Sequence, residues 1–167
     1  MSLDISYSGG VFSAPQAKSV GTVTAGTGPY NLASASYDSV SFSFTQPSIT
    51  SPSSVSFSSD GSKMFILNYG LSRLYQYTLS TAWDPSSATY NFNIVVNQSS
   101  NPRTVIFKSD GTSLYIHGYT GNVDQYDLTT AYNLSTASYA SKSLSTGLTS
   151  NGVGLSISTD GTKLWAS

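Results

Sequence analysis

Cysteine is absent from the 167 residues, which excludes a disulfide framework and any cysteine-ligated zinc or iron–sulfur site. Glutamate is absent as well, so every acidic residue is Asp. A single histidine leaves no Cys–His or two-His constellation within one chain, and no metal site or cofactor is expected. Charged residues make up only 9% of the chain, far below an ordinary quarter or so. A net charge of −1 with seven basic residues argues against a nucleic-acid surface. No apolar run approaches the roughly 18 residues of a membrane-spanning helix. Met1–Gly10 shows no basic start followed by an apolar stretch, so no secretory signal is visible there. What the chain has is serine, about a fifth of its residues, and 13% aromatics. Ser, Thr, Tyr, Gly and Asn suit strands and turns, whereas helices are built with Glu, Lys, Leu and Ala. A helical protein is excluded, and the supply of aromatic and β-branched residues excludes disorder.

The sequence repeats itself. Ser58-Ser59-Asp60-Gly61-Ser62-Lys63-Met64-Phe65 returns as Lys108-Ser109-Asp110-Gly111-Thr112-Ser113-Leu114-Tyr115, and again as Ser158-Thr159-Asp160-Gly161-Thr162-Lys163-Leu164-Trp165. The Asp-Gly pairs begin at 60, 110 and 160, a period of 50. A second motif keeps step, at Tyr30–Tyr37, Trp83–Tyr90 and Tyr132–Tyr139, and a third matches Leu74–Leu79 to Val123–Leu128. Each unit reads as four short strands. Val55 and Phe57 alternate with Ser, as do Leu155 and Ile157, and Val105 and Phe107 hold the same two positions, so one face of that strand points inward. Asp-Gly supplies the positive φ of a tight hairpin. The second strand, Met64–Leu67 or Leu114–Ile116, is nearly all apolar and is expected to be buried on both faces. A Tyr-Gln-Tyr strand follows, then a longer loop and a fourth strand at Tyr90–Val96 or Tyr139–Leu144. Four antiparallel strands recurring every 50 residues or so predict an all-β fold of β-propeller blades.

At the Ser-Asp-Gly-Thr-Lys-Leu turns the chain resembles the YVTN and WD40-like (PD40, TolB-type) propeller repeats. The Tyr-Gln-Tyr-Thr-Leu-Ser-Thr-Ala-Trp run is similar to repeats of marine bacterial and phage-encoded surface proteins. The resemblance covers about residues 30–166 and implies the fold, with display outside the cell, on a cell surface or on a virion. The chain departs from the pattern where Ser59, Ser109 and Thr159 replace the usual Pro. Nor is the turn the Asp-box of sialidase-type propellers, in which one residue separates Asp from Gly.

The blade count is the unusual part. Residues 52–96 and 102–144 make two full blades, and 153–167 hold the two inner strands of another. Val20–Thr24 and Ser36–Phe44 read as the two outer strands of a blade, and residues 30–46 are the outer part of it that matches the repeat. The segment 1–29 is a divergent start, in which Ile5 and Tyr7 fall 50 before Val55 and Phe57. Propellers close with about four to eight blades. Two such chains could complete one another into six blades about a two-fold axis, so a homodimer is expected. Membership of a longer gene product is the alternative.

Candidates for chemistry are few. His117 takes the repeat position of Leu67 at the end of a buried strand, which suits a structural role. Asp60, Asp110 and Asp160 belong to turns, Asp84 matches Asn133 and Asn31, and Asp124 and Asp127 are expected to face solvent on an outer strand. No residue is assigned to catalysis. Tyr69 and Tyr119 recur at period 50 beside Asn68 and His117, while Arg103 precedes an innermost strand, where it could sit at the channel mouth. A tyrosine ring covers the apolar face of a sugar while polar neighbours bond its hydroxyls. Those five residues are the candidate binding set, for a glycan or protein ligand. Packing of the tyrosines between blades would explain their recurrence equally well. Some YVTN-type propellers are lactonases, so a lactonase-like hydrolase in the channel is the alternative, although no residue here carries that activity over.

Overall fold

The computed structural model describes residues 19–24, 36–44, 49–119, 121–148, 153–158 and 160–167. The Tyr30–Ala35 part of the second motif, Asp4, and the Ile5 and Tyr7 match lie outside the described residues. Among the described residues twelve strands run β1 (Ser19–Thr24), β2 (Ser36–Ser43), β3 (Pro52–Phe57), β4 (Lys63–Asn68), β5 (Arg73–Leu79), β6 (Ala88–Val95), β7 (Pro102–Phe107), β8 (Ser113–Gly118), β9 (Asn122–Leu128), β10 (Ala137–Ser145), β11 (Leu155–Ile157) and β12 (Leu164–Ala166). They form two four-stranded sheets, β3-β4-β5-β6 and β7-β8-β9-β10, flanked by the two-stranded β1-β2 and β11-β12. All pairings are antiparallel and join neighbours in sequence. These are propeller blades, two of them complete and two represented by a strand pair each among the described residues.

Each turn is built by its own residues. Gly61, Gly111 and Gly161 have φ of 72°, 73° and 70°, a region that side chains with a Cβ avoid. Asp60 Oδ1 accepts from the Ser62 backbone N–H at 3.0 Å and from Ser58 Oγ at 2.6 Å, while Ser58 Oγ accepts from the Lys63 N–H at 2.9 Å. The same bonds recur around Asp160. The second motif is a capped 3-10 turn: Asp84 Oδ1 accepts from Ser86 N at 2.9 Å and Asn133 Oδ1 from Ser135 N at 3.1 Å. The fourth strands leave directly from these turns and so begin at Ala88 and Ala137, two residues earlier than the Tyr90 and Tyr139 expected.

Register assigns the faces. Met64, Phe65, Ile66 and Leu67 on β4 are all essentially buried. Met64 and Ile66 point back toward β2, where Phe42 and Phe44 pack against that core. Phe65 and Leu67 point forward into a second core with Val105, Leu114 and Ile116 of the following blade. Burying one such side chain stabilises the fold by about 1.5–3 kcal/mol. The innermost strands are tied in sequence. Ser53 Oγ donates to Pro102 O at 3.2 Å, Val105 N–H to Ser54 Oγ at 3.3 Å, and Thr104 Oγ1 to Val153 O at 2.6 Å. The blades therefore stack as an arc with β3, β7 and β11 along its inner side.

Candidate functional site

One end of the arc carries the starts of β3 and β7 together with the β4–β5 and β8–β9 loops. Tyr69 and Tyr119 begin those loops. Each is fastened by its backbone, Tyr69 N–H to Ser51 O and Tyr119 N–H to Ser100 O, both at 3.1 Å. The ladder between β7 and β8 skips a step between Pro102 and Thr104, a bulge that turns Arg103 out of the regular alternation. Its guanidinium carbon lies 4.2 Å from the centre of the Tyr69 ring and 5.8 Å from that of Tyr119. Both fall within cation–π range. Tyr69 belongs to one blade, Arg103 and Tyr119 to the next, so this cluster straddles a blade boundary. Among the described residues no carboxylate or other hydrogen-bonding group engages the Arg103 guanidinium. Its five N–H donors therefore remain available to a ligand.

The other two candidates lie inside the protein. Asn68 is fully buried and its Oδ1 accepts from Gly70 N–H at 3.1 Å, which shapes the loop that carries Tyr69. His117 is equally buried. Its Nδ1 lies 3.1 Å from Gly154 O and ties the second whole blade to the chain entering β11, while Nε2 has no partner among the described residues. A buried ring bonded to a carbonyl in this way is an interior brace between blades. The structure thus brings Tyr69, Arg103 and Tyr119 together and leaves Asn68 and His117 beneath them.

Asp124 departs from its expected place. It is buried, and Ser99 Oγ donates to its Oδ2. Asp124 pairs across the sheet with Ile116, which turns it toward the preceding blade, where the segment from β6 to β7 covers it. Sequence alternation alone could not show this, because the covering segment comes from outside the strand. Asp127 is half-buried and accepts from Ser113 Oγ and Gln125 Nε2, which hold its pKa below the ordinary value. Gln76 was also missed: its Oε1 accepts from Leu134 N–H at 2.8 Å, a buried bond between blades. Burial pushes the Tyr126 phenol up to about 12, with Asp124 adding to it, and burial pushes Tyr77 higher still. Both phenols stay protonated. Around Asp60 and Asp160 the serine hydroxyls and backbone amides lower the carboxyl pKa to about 2, as fits turn fixtures.

No family model matches the chain, and no curated protein matches it. Solved structures do. A provisionally named 6-phosphogluconolactonase from Bacteroides fragilis superposes with a TM-score of 0.58 at 15% identity, over 75% of this chain and 33% of that one. A functionally unknown protein from Desulfotomaculum acetoxidans gives 0.56 at 20%, over 80% and 41%. The periplasmic gluconolactonase of Pseudomonas aeruginosa gives 0.51 at 20%, over 72% and 35%. The chain therefore spans about a third to two fifths of the length of these neighbours. At such identities the likeness shows the fold: this is an all-β chain of propeller blades akin to those of the lactonase-type propellers.

Proposed function

We propose that the chain is a non-enzymatic binding or structural β-propeller module that takes a glycan or protein ligand on the rim formed by Tyr69, Arg103 and Tyr119. One observation carries this reading. A guanidinium lies against two rings from successive blades, and among the described residues nothing accepts from its hydrogen-bond donors. The rings offer flat apolar area, and the fork of Arg103 suits a carboxylate or a pair of hydroxyls. Kinship with YVTN and WD40-like repeats belongs to the same reading and rests on the Asp-Gly turn motif, while display on a cell surface or virion rests on the Tyr-Gln-Tyr run.

Binding to an array of neutral and uronate-containing oligosaccharides tests the proposal. Arg103→Ala should weaken binding about tenfold or more, the scale of a lost charge-assisted hydrogen bond, with an unchanged far-ultraviolet spectrum. Undiminished binding by Arg103→Ala, or no saccharide bound, would remove the rim as a glycan site. The second reading, a sugar-lactone hydrolase, is favoured by the names of two of the structural neighbours. It rests on fold likeness, which does not fix chemistry. Hydrolysis of gluconolactone above its spontaneous rate, lost in Arg103→Ala, would put that reading first.

A further inference from the structure

The two whole blades make one contact in two different chemistries. Tyr75 pairs across the sheet with Ile66 and Asp124 pairs with Ile116, so the two hold equivalent places on β5 and β9. Ile49 precedes β3 by the same step at which Ser99 precedes β7. In the first whole blade Ile49 and Tyr75 are buried together in one apolar core. In the second, Ser99 and Asp124 are buried as well, but Ser99 Oγ donates to Asp124 Oδ2. Burying a carboxylate is costly unless hydrogen bonds satisfy it, so stability alone favours the apolar version. Apolar burial has no direction, whereas a hydrogen bond fixes where its two partners sit.

The chain just beyond Ser99 takes a constrained course. Asn101 has a φ of 48°, a left-handed conformation that a residue with a Cβ adopts only at a cost. Ser100 O and Asn101 O both accept from the Tyr119 N–H, at 3.1 and 3.2 Å. A Cβ built on Gly118 would run into the Cβ of Ser99 and into Ser100 O, so the segment is seated on bare backbone. In the preceding blade Asn68 stands at the place of Gly118, and Ser53 at that of Arg103. Residues 99, 103, 118 and 124 thus depart from the preceding blade together, and all four lie along or against one segment. That segment ends at Arg103, with its guanidinium carbon 4.2 Å from the Tyr69 ring centre and 5.8 Å from that of Tyr119.

We propose that Ser99 and Asp124 are a positioning pair for the rim. The buried bond between them holds residues 99–103 in the course that lays Arg103 across Tyr69 and Tyr119. Asp124 anchors the start of the segment from β9, the Tyr119 N–H fixes its middle, and the β7 bulge then turns Arg103 outward. The carboxylate touches no ligand and acts through the backbone it secures. This assignment rests on the reading of the rim as a binding surface and adds the residues that give that surface its shape.

Nuclear magnetic resonance of the arginine side chains tests it without any ligand. The chain has two arginines, Arg73 and Arg103. Arg73 donates from Nη1 to Asn93 Oδ1 and serves as the internal reference. Protons of a guanidinium lying over a tyrosine face resonate upfield of their ordinary positions, and Arg103→Lys identifies the two sets of signals. Asp124→Leu has a similar volume but no acceptor, and it should return the Arg103 signals toward those of free arginine while Arg73 stays in place. Asp124→Asn keeps an accepting oxygen and should keep the upfield shift. Ser99→Ala removes a single oxygen, so it reads the bond even where Asp124→Leu impairs folding, and it should release Arg103 too. The proposal is overturned if Ser99→Ala leaves the Arg103 signals unmoved, or if Asp124→Leu and Asp124→Asn give the same Arg103 signals. It is also overturned if Arg73 moves whenever Arg103 does, because the pair would then support the blade as a whole. Saccharide binding is measured separately. Its absence, with the Arg103 signals responding as described, removes the rim as a glycan site and leaves the positioning pair standing.

Discussion

Arg103 shows how a single position can acquire a role the rest of the repeat lacks. Its counterparts at the period of 50 are Ser53 and Val153, so nothing in the repeat marks an arginine there. Tyr69 and Tyr119 were visible as a recurrence, but their distance from Arg103 was not. It is set by the β7 bulge and by the packing of one blade on the next, neither of which has a local signature. Glycine positions are more legible, and they separate two physical effects. Gly111 has a φ of 73° and lies under the Tyr132 ring, whereas Gly147 has a φ of 76° and open space around it. Gly147→Ala should cost about 1–2 kcal/mol for the backbone alone. Gly111→Ala should cost distinctly more, because the ring must also move, and urea denaturation of the two variants compares them. The turn carboxylates make a pH prediction. The pKa values of Asp60 and Asp160 in the fold, about 2, lie below the ordinary 3.8. Their contribution is complete above that ordinary value and is lost as pH falls toward 2. The denaturation midpoint should therefore drop between pH 4 and pH 2. Replacing both with Asn, which keeps the accepting oxygen, should flatten that drop.

Strands and turns were the level at which the sequence spoke most clearly. Alternation of Val55 and Phe57 with serine, the unbroken apolar run of β4 and the Asp-Gly pairs each have a local physical cause, and each produced the expected element. The starts of β6 and β10 were misjudged because a short 3-10 turn, capped by Asp84 or Asn133, has no periodicity of its own. Asp124 was misjudged for a different reason, since its cover comes from the segment holding Ser99. Between elements the decisive residue is Phe65, fully buried at the boundary of the whole blades. Phe65→Ala should destabilise the chain by about 3–5 kcal/mol, as large-to-small core substitutions at aromatic sites do. Chemical denaturation measures that loss, and a cost below about 1 kcal/mol would mean that the two blades do not depend on this contact.

Across the whole chain, stability is shared among contacts between neighbouring blades, as in other repeat architectures. Residues on either side of the Ser53 and Arg103 positions are held by their neighbours: Pro102 O accepts from Ser53 Oγ, Val105 N–H bonds to Ser54, and Thr104 bonds to Val153 O. The bulged position is skipped by the ladder, and its side chain is used differently in each blade: Ser53 donates to Pro102 O, while Arg103 lies against the two tyrosine rings. Its identity can change from blade to blade while the backbone around it stays fixed. In evolutionary terms, the repeat inherits its architecture through one set of positions and its surface chemistry through another, so duplicating a blade supplies a new rim residue that is free to diverge.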